Sequence, residues 1–333
     1  MHIPALESWI NRVESALLKI HGLGAKYRPL YAGKTAGIGM LVFIKEGTII
    51  NKIATGSIGT GLGGVYVNKG AVGISFECEL EKYPEQSSSF CFISSHLNAH
   101  AGEANCIWRQ EEADHILSCL VLKPFRSVPF VTLPQNHEVI WFLGDLNFRF
   151  KGAKDKWAHG IIGNDSTLPK RSKILELIQK IDVEELNALD ELNYLRSVQQ
   201  GTLAQFREPK ILFTPSYKLK GVKKADVPRT YSETRMPAYC DRILYFSDGH
   251  HSVSPLHYLR VEEFDWSDHD PVVALFHLER IAEDMAKPVL GCNLALVSSQ
   301  RWSRFFYINQ WRIIALVVLG VALVGYHLLN KFL

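Results

Sequence analysis

WFLGDLNFRF, residues 141–150, decides how this chain is read. Trp141, Phe142 and Leu143 run through Gly144 into Asp145 and Asn147, and Arg149 follows. The apolar run predicts a buried strand over residues 138–146. Within a strand, residues two apart project to the same side, so Asp145 and Asn147 are expected to leave its end together. A carboxylate placed there can take a proton from water, and the neighbouring amide can stabilise an oxyanion. The same spacing also suits an Asx turn that merely ends a strand, and this stretch alone leaves both readings open.

Three further stretches change the balance. SSHLNAH (94–100) puts His96 after an apolar strand, and PAYCDRIL (237–244) sets Asp241 and Arg242 in an otherwise apolar one. SDHDP (267–271) places Asp268, His269 and Asp270 just before the last strand. A lone His at a strand end is commonly structural. Two of them, joined by Asp145, Asn147, Asp241 and Asp268 at strand ends, are hard to explain as solvated turns. Strand ends on one rim of a sheet converge on one cleft, where a metal and a phosphate could be held.

Around these motifs, residues 5–20 and 102–119 show helical periodicity, and residues 153–200 read as charged helices. Strands are expected over 38–45, 47–58, 70–80, 90–97, 237–246, 253–261 and 270–279. Strand pairs on short turns with few helices favour a mixed sheet sandwich over a repeated βαβ sheet. Two patterns are set aside. GTGLGG (59–64) is followed by strand-like residues instead of the helix a dinucleotide site needs, and GKT (33–35) lacks the Gly of a phosphate loop.

The formal charge is +3 over 333 residues, but the last 43 residues contribute Arg301, Arg304, Arg312 and Lys331 and no acid. The first 290 residues are nearly neutral, so no global basic field speaks for non-specific nucleic-acid binding. The six cysteines form no C-x-x-C pair and the N-terminus has no signal-peptide core, which suggests reduced thiols in the cytosol. Residues 313–329, IIALVVLGVALVGYHLL, carry no formal charge; at 1.5 Å per residue they span roughly 26 Å, enough for a thin bilayer. The expectation is a tail anchor at 311–333 after a linker at 281–310. The short span suits the endoplasmic reticulum, with the mitochondrial outer membrane as the alternative.

WFLGDLNFRF and RMPAYCDRIL resemble the two signature motifs of the inositol polyphosphate 5-phosphatases, within the superfamily of DNase I-like nucleases and sphingomyelinases. YVNKGAVGISF, SSHLNAHAGEANCIWRQ and SDHDPVVALF fit the same family in the same order. The chain is most similar to the small tail-anchored phosphoinositide 5-phosphatases known from fungi. The resemblance implies a catalytic domain over residues 1–280, built as a four-layer α/β/β/α sandwich, with a C-terminal transmembrane helix. It implies Mg²⁺-dependent removal of the 5-phosphate from phosphatidylinositol 4,5-bisphosphate at a cytosolic membrane face, giving phosphatidylinositol 4-phosphate.

Residue by residue, the resemblance implies that Asp145 activates water beside Asn147, and that His96 and His269 contact the scissile phosphate. Asp241 would orient His269, and Asp268 with Asn147 would touch the metal. Lys69 would face the phosphate, while Tyr217, Lys218 and Arg235 would grip the 4-phosphate, with Arg242 also among the substrate contacts. The lysines of KLKGVKK (218–224) would meet the anionic substrate or anionic headgroups. In this family two strands, one carrying an Asn and one ending in Gln-Glu, precede the helix that here reads LESWINRVESALL, and that Glu is the main Mg²⁺ ligand. The domain is therefore expected to be N-terminally truncated, with weakened Mg²⁺ binding. Either the chain is an incomplete form of an active enzyme, or it is a phosphoinositide-binding module without turnover.

Overall fold

The computed structural model describes residues 4–19, 26–35, 37–61, 66–80, 83–124, 131–151, 171–220, 229–263 and 267–281. Among these residues the expected strand through 141–145 forms as β7 (Val139–Asp145), with its first four side chains buried. It runs parallel to β5 (Tyr83–His96) and antiparallel to β8 (Asp241–Ser247). β4 (Tyr66–Leu80) and β3 (Ile50–Gly61) continue the sheet beyond β5, and the two-residue β6 (Lys123–Pro124) closes it. The order is β6-β3-β4-β5-β7-β8, a mixed sheet of six strands.

Both faces of this sheet are covered, which is why its central strands read as near-continuous apolar runs. On one face Cys91, Ile93, Ile140, Phe142 and Leu244 are buried together with Cys106, Ile116 and Leu117 of α2 (Glu103–Cys119) and Leu192 and Leu195 of α5 (Glu191–Ser197). On the other, Val72, Ile74, Phe90, Val139 and Trp141 meet Ile38 and Met40 of β2 (Ile38–Lys45) and Val253 of β9 (His251–Arg260). Trp141 stacks on Phe92 with ring centres 4.6 Å apart. The N-terminal helix α1 (Pro4–Lys19) lies against β1 (Tyr27–Thr35).

The second β layer departs from a continuous sheet. Among the described residues it is two separate hairpins, β1–β2 and β9–β10, with β10 spanning Val272–Arg280. Phe92, Leu143 and Ile243, on the hairpin side, are only half-buried, whereas Ile93, Phe142 and Leu244 on the helix side are fully buried.

Several local expectations change. β1 is a strand that Pro29 and Gly33 disguise. The strand expected from 237 begins at Asp241; before it the chain makes only a single bridge, Ala238 to Tyr217. The buried side of α2 is not purely apolar, since Arg109, Gln110, Glu112 and Ser118 are buried on it. Helices α3 (Arg171–Gln179), α4 (Val183–Ala188) and α5 fill the region expected to be helical, and α3 and α4 pack Ile174, Leu177 and Leu186 under Ile211 and Tyr239. The rest of that region, residues 152–170, lies outside the described residues, as do 221–224 of the lysine-rich loop, the expected linker beyond 281 and the expected membrane segment. Among the described residues no helix is long and apolar enough to cross a membrane.

Candidate active site

Register builds the site. Gly70 on β4, His96 on β5, Asp145 on β7 and Asp241 on β8 are paired in succession, so one level of the sheet carries three polar side chains in a row. Side chains at paired positions of neighbouring strands lie on the same face. The strands close tightly here: a Cβ on Gly144, whose φ is 128°, would sit 2.2 Å from the Ser95 carbonyl oxygen. Only Gly takes that conformation and that approach together.

The segment ahead of β10 completes the row. His269 Nδ1 lies 2.9 Å from Asp241 Oδ2, and the Ser216 hydroxyl donates to the same oxygen at 2.6 Å. His96 Nε2 lies 3.2 Å from Asp145 Oδ2, and Lys69 Nζ makes a short contact with that ring nitrogen. The Tyr217 ring centre is 4.6 Å from that of His269. Asp145, Asn147, His96, His269, Asp241 and Lys69 are thus gathered as the sequence implied.

Asn147 arrives by a different route. The strand ends at Asp145, and Asn147 sits in the left-handed region at φ 57°. Its backbone N–H donates to Asp145 Oδ1 at 3.1 Å, which is an Asx turn, so the structural reading of GDLN holds and leaves the Asp145 carboxylate at the same place. Its side-chain NH₂ donates to the Leu97 carbonyl at 3.1 Å, and its Oδ1 accepts from Arg149 Nη2. That last contact sets a guanidinium against Oδ1, the side-chain atom expected to touch the metal.

Electrostatics follow from this packing. Burial disfavours the Asp145 carboxylate, but the hydrogen bond to His96 and the nearby His269 and Lys69 outweigh it, and its pKa falls below the ordinary 3.8. Burial likewise opposes a charged His269. The Asp241 hydrogen bond, with Asp145 and Asp268 close by, prevails and raises its pKa above 6.5. Burial lowers the Lys69 pKa, against the pull of Asp145 and Glu112.

One expected role does not survive. Arg242 is not a substrate contact: it is 1% exposed and on the helix side of the sheet. Its Nε and Nη2 donate to Glu208 at 2.6 Å each, and its Nη1 donates to both Asp190 oxygens at 3.0 Å. Adjacent residues of a strand face opposite ways, so Asp241 in the site sends Arg242 away from it. Asp268 is not among the close-set potential ligands, and its carboxylate pairs with Lys218 at 2.8 Å. Lys218 stands at the edge of the site with the exposed Arg235 within electrostatic reach.

Asp145, Asp241 and His269 bring one ligand atom each within 4.8 Å of one another. As a donor set for a hard cation they do not fit. Both Asp145 oxygens and Asp241 Oδ2 are already engaged by protein donors or an imidazole, and His269 Nδ1 is committed to Asp241. Mg²⁺ demands near-octahedral oxygen ligands. Calorimetric titration of this chain with Ca²⁺ or Mg²⁺ is therefore expected to give a Kd no tighter than about 10⁻⁴–10⁻³ M, the range of weak Ca²⁺ sites. A sub-micromolar constant would reveal a donor set beyond these side chains.

Arg149 and Ser216 escaped the sequence reading. Arg149 stands in the opening motif itself, two residues after Asn147. Ser216 gives no signal beyond its place beside Tyr217.

A model of the endonuclease/exonuclease/phosphatase family 2 matches residues 2–275. The Schizosaccharomyces pombe protein named "Probable inositol polyphosphate 5-phosphatase" is 30% identical over 282 residues, which are 81% of this chain and 21% of that protein. The type II inositol 1,4,5-trisphosphate 5-phosphatase of Mus musculus is 28% identical over 83% of this chain and 24% of its own length. This chain thus spans about a quarter or less of the length of these two relatives. The inositol polyphosphate 5-phosphatase domain of a synaptojanin, solved with inositol (1,4)-bisphosphate and a calcium ion, superposes with a TM-score of 0.63. That match is 24% identical and covers 95% of this chain and 79% of the solved one. A mutant Cimex nitrophorin in its ferrous NO complex also superposes, at 0.51 and 18% identity over 82% of this chain and 80% of its own. The fold alone therefore does not choose the chemistry, and the side chains on it must.

Proposed function

The chain belongs to the endonuclease/exonuclease/phosphatase family 2, and from that premise we propose that it is a phosphoinositide 5-phosphatase, converting phosphatidylinositol 4,5-bisphosphate to phosphatidylinositol 4-phosphate. The observation that carries this reading is the row His96–Asp145–Asp241 with His269 docked on its end. A carboxylate whose pKa is lowered and an imidazole whose pKa is raised stand together there, beside the amide of Asn147. That set suits water attack on a phosphate monoester.

The roles follow from the contacts. Asp145, held ionised, takes a proton from the attacking water as the new P–O bond forms. The bond to the inositol 5-oxygen breaks on the opposite side, in line. Positive charge from His269, kept protonated by Asp241, offsets the charge building on the phosphoryl oxygens. Lys218 and Arg235 at the rim suit a second phosphate on the same ring. The Mus musculus relative is by name an inositol 1,4,5-trisphosphate 5-phosphatase, and the solved relative holds inositol (1,4)-bisphosphate and a calcium ion. Mg²⁺, which the described side chains alone would hold only weakly, is the ion we assign, with residues 311–333 as the tail anchor that brings the site to lipid, at the endoplasmic reticulum or the mitochondrial outer membrane.

The poor fit of the described residues to a cation favours one other reading, a module that binds phosphoinositides without turnover. Vesicles containing phosphatidylinositol 4,5-bisphosphate, incubated with the chain and Mg²⁺, separate the two. Release of inorganic phosphate with phosphatidylinositol 4-phosphate as the lipid product supports the enzyme. Vesicle binding without phosphate release supports the module, and neither would refute both.

A further inference from the structure

An Asn side chain donates to a phosphoryl oxygen only if its NH₂, and not its carbonyl, faces the anion; rotated by 180°, it would present a lone pair instead. The surroundings of Asn147 remove that ambiguity. Arg149 Nη2 donates to Asn147 Oδ1, and Arg149 Nε donates to the Asn147 backbone carbonyl at 3.0 Å. Across the amide, Nδ2 gives one N–H to the Leu97 carbonyl at 3.1 Å, which leaves its second N–H for a ligand.

Arg149 is itself held in place. Its backbone N–H donates to Glu191 Oε2 at 2.8 Å, and its guanidinium carbon lies 4.6 Å from the centre of the Tyr217 ring. That ring is the one packed against His269. The three arginines beneath the site differ in their partners. Arg109 pairs with Glu191 at 2.5 Å, and Arg242 pairs with Asp190 and Glu208. Arg149, 8% exposed, forms no ion pair among the described residues. A buried guanidinium directed at an amide and an aromatic ring, without a carboxylate, is a poor device for stability. It is a good one for orientation, because its planar fork fixes the acceptor it grips.

The geometry assigns Arg149 the role of a positioning residue: it locks the Asn147 amide with its donor side free and, through Tyr217, keeps His269 against the same pocket. This assignment rests on the phosphoryl-transfer reading.

Two variants test it, Arg149→Met and Arg149→Lys, the second keeping the charge but losing the fork. Each is expected to lower kcat about 100-fold, the effect of losing one oxyanion donor, with KM within about threefold. Adding Asn147→Ala to either should lower kcat by no more than about twofold further, since residues acting as a unit are not additive. Additive losses would overturn the assignment. The second measurement needs no turnover. In a chain labelled with ¹⁵N at Asn, the side-chain amide signal of Asn147, identified by its loss in Asn147→Asp, should shift and exchange faster with water in both Arg149 variants. An unchanged signal in a folded variant would overturn the positioning role even if activity fell. A wild-type chain that releases no phosphate would instead count against the phosphatase reading, and the amide signal would still decide the role of Arg149.

Discussion

Asp145→Ala is expected to lower kcat for phosphate release by about 10³–10⁴-fold, at the upper end for removal of a general base. His269→Ala is expected to lower it by about 10²–10³-fold, as for a lost charge stabiliser. Both variants should remain folded, because each side chain is part-exposed at the rim and leaves no buried charge behind. Far-UV circular dichroism checks the fold and phosphate release the rate. Wild-type rates in either variant would remove the mechanism.

The signs of the pKa shifts fix the pH window. Asp145 titrates below 3.8 in the folded chain, so it is ionised across the neutral range and limits activity only in acid. The stability that its partners supply is present above its unfolded pKa and is lost as pH falls through the folded one. His269 titrates above 6.5, so its stabilising charge is complete below its unfolded pKa and is lost as pH rises through the folded one. Activity should therefore hold a plateau between these limits. Asp241→Asn should move the alkaline limb downward, because it removes the charge that keeps His269 protonated.

Arg242→Met is expected to destabilise the fold by about 3–5 kcal/mol, the usual penalty for breaking a buried ion pair from one side. Asp190 and Glu208 would keep their carboxylates, at 0% and 2% side-chain exposure, with the guanidinium gone. Burial already pushes the Asp190 pKa up, and Arg242, helped by the Asn193 backbone N–H, opposes it. For a domain of this size the loss corresponds to a fall in Tm on the order of 10 °C. A substrate contact would behave in the opposite way, raising KM while leaving Tm untouched. Thermal unfolding read beside Michaelis kinetics therefore distinguishes the clamp seen here from the contact expected by resemblance.

The polar row of the candidate site was legible because it follows from strand ends. His96 and Asp145 close β5 and β7, Asp241 opens the antiparallel β8, and the register of these strands sets all three at one level. Arg242 lies away from the site because alternation in β8 sends it to the side of Leu244 and Phe246, opposite Asp241. Asn147 reaches the site through a left-handed turn, which pleat spacing does not describe. Ser216 and Tyr217 lie on irregular backbone held by Tyr239, whose hydroxyl donates to the Phe213 carbonyl at 2.8 Å, so their place depends on contacts distant in sequence. Asp268 pairs with Lys218, a neighbour only after folding.

The central claim is that His96 and His269, far apart in the chain, face one phosphoryl group. The most direct measurement is an NMR titration of the histidine ring signals with a soluble inositol phosphate carrying a 5-phosphate, compared with the same compound lacking it. The 5-phosphate should shift His96 and His269 together, with one shared Kd, and leave His250 and His251 at the far end of β8 unmoved. Separate affinities for the two rings, or a response confined to one of them, would contradict the claim.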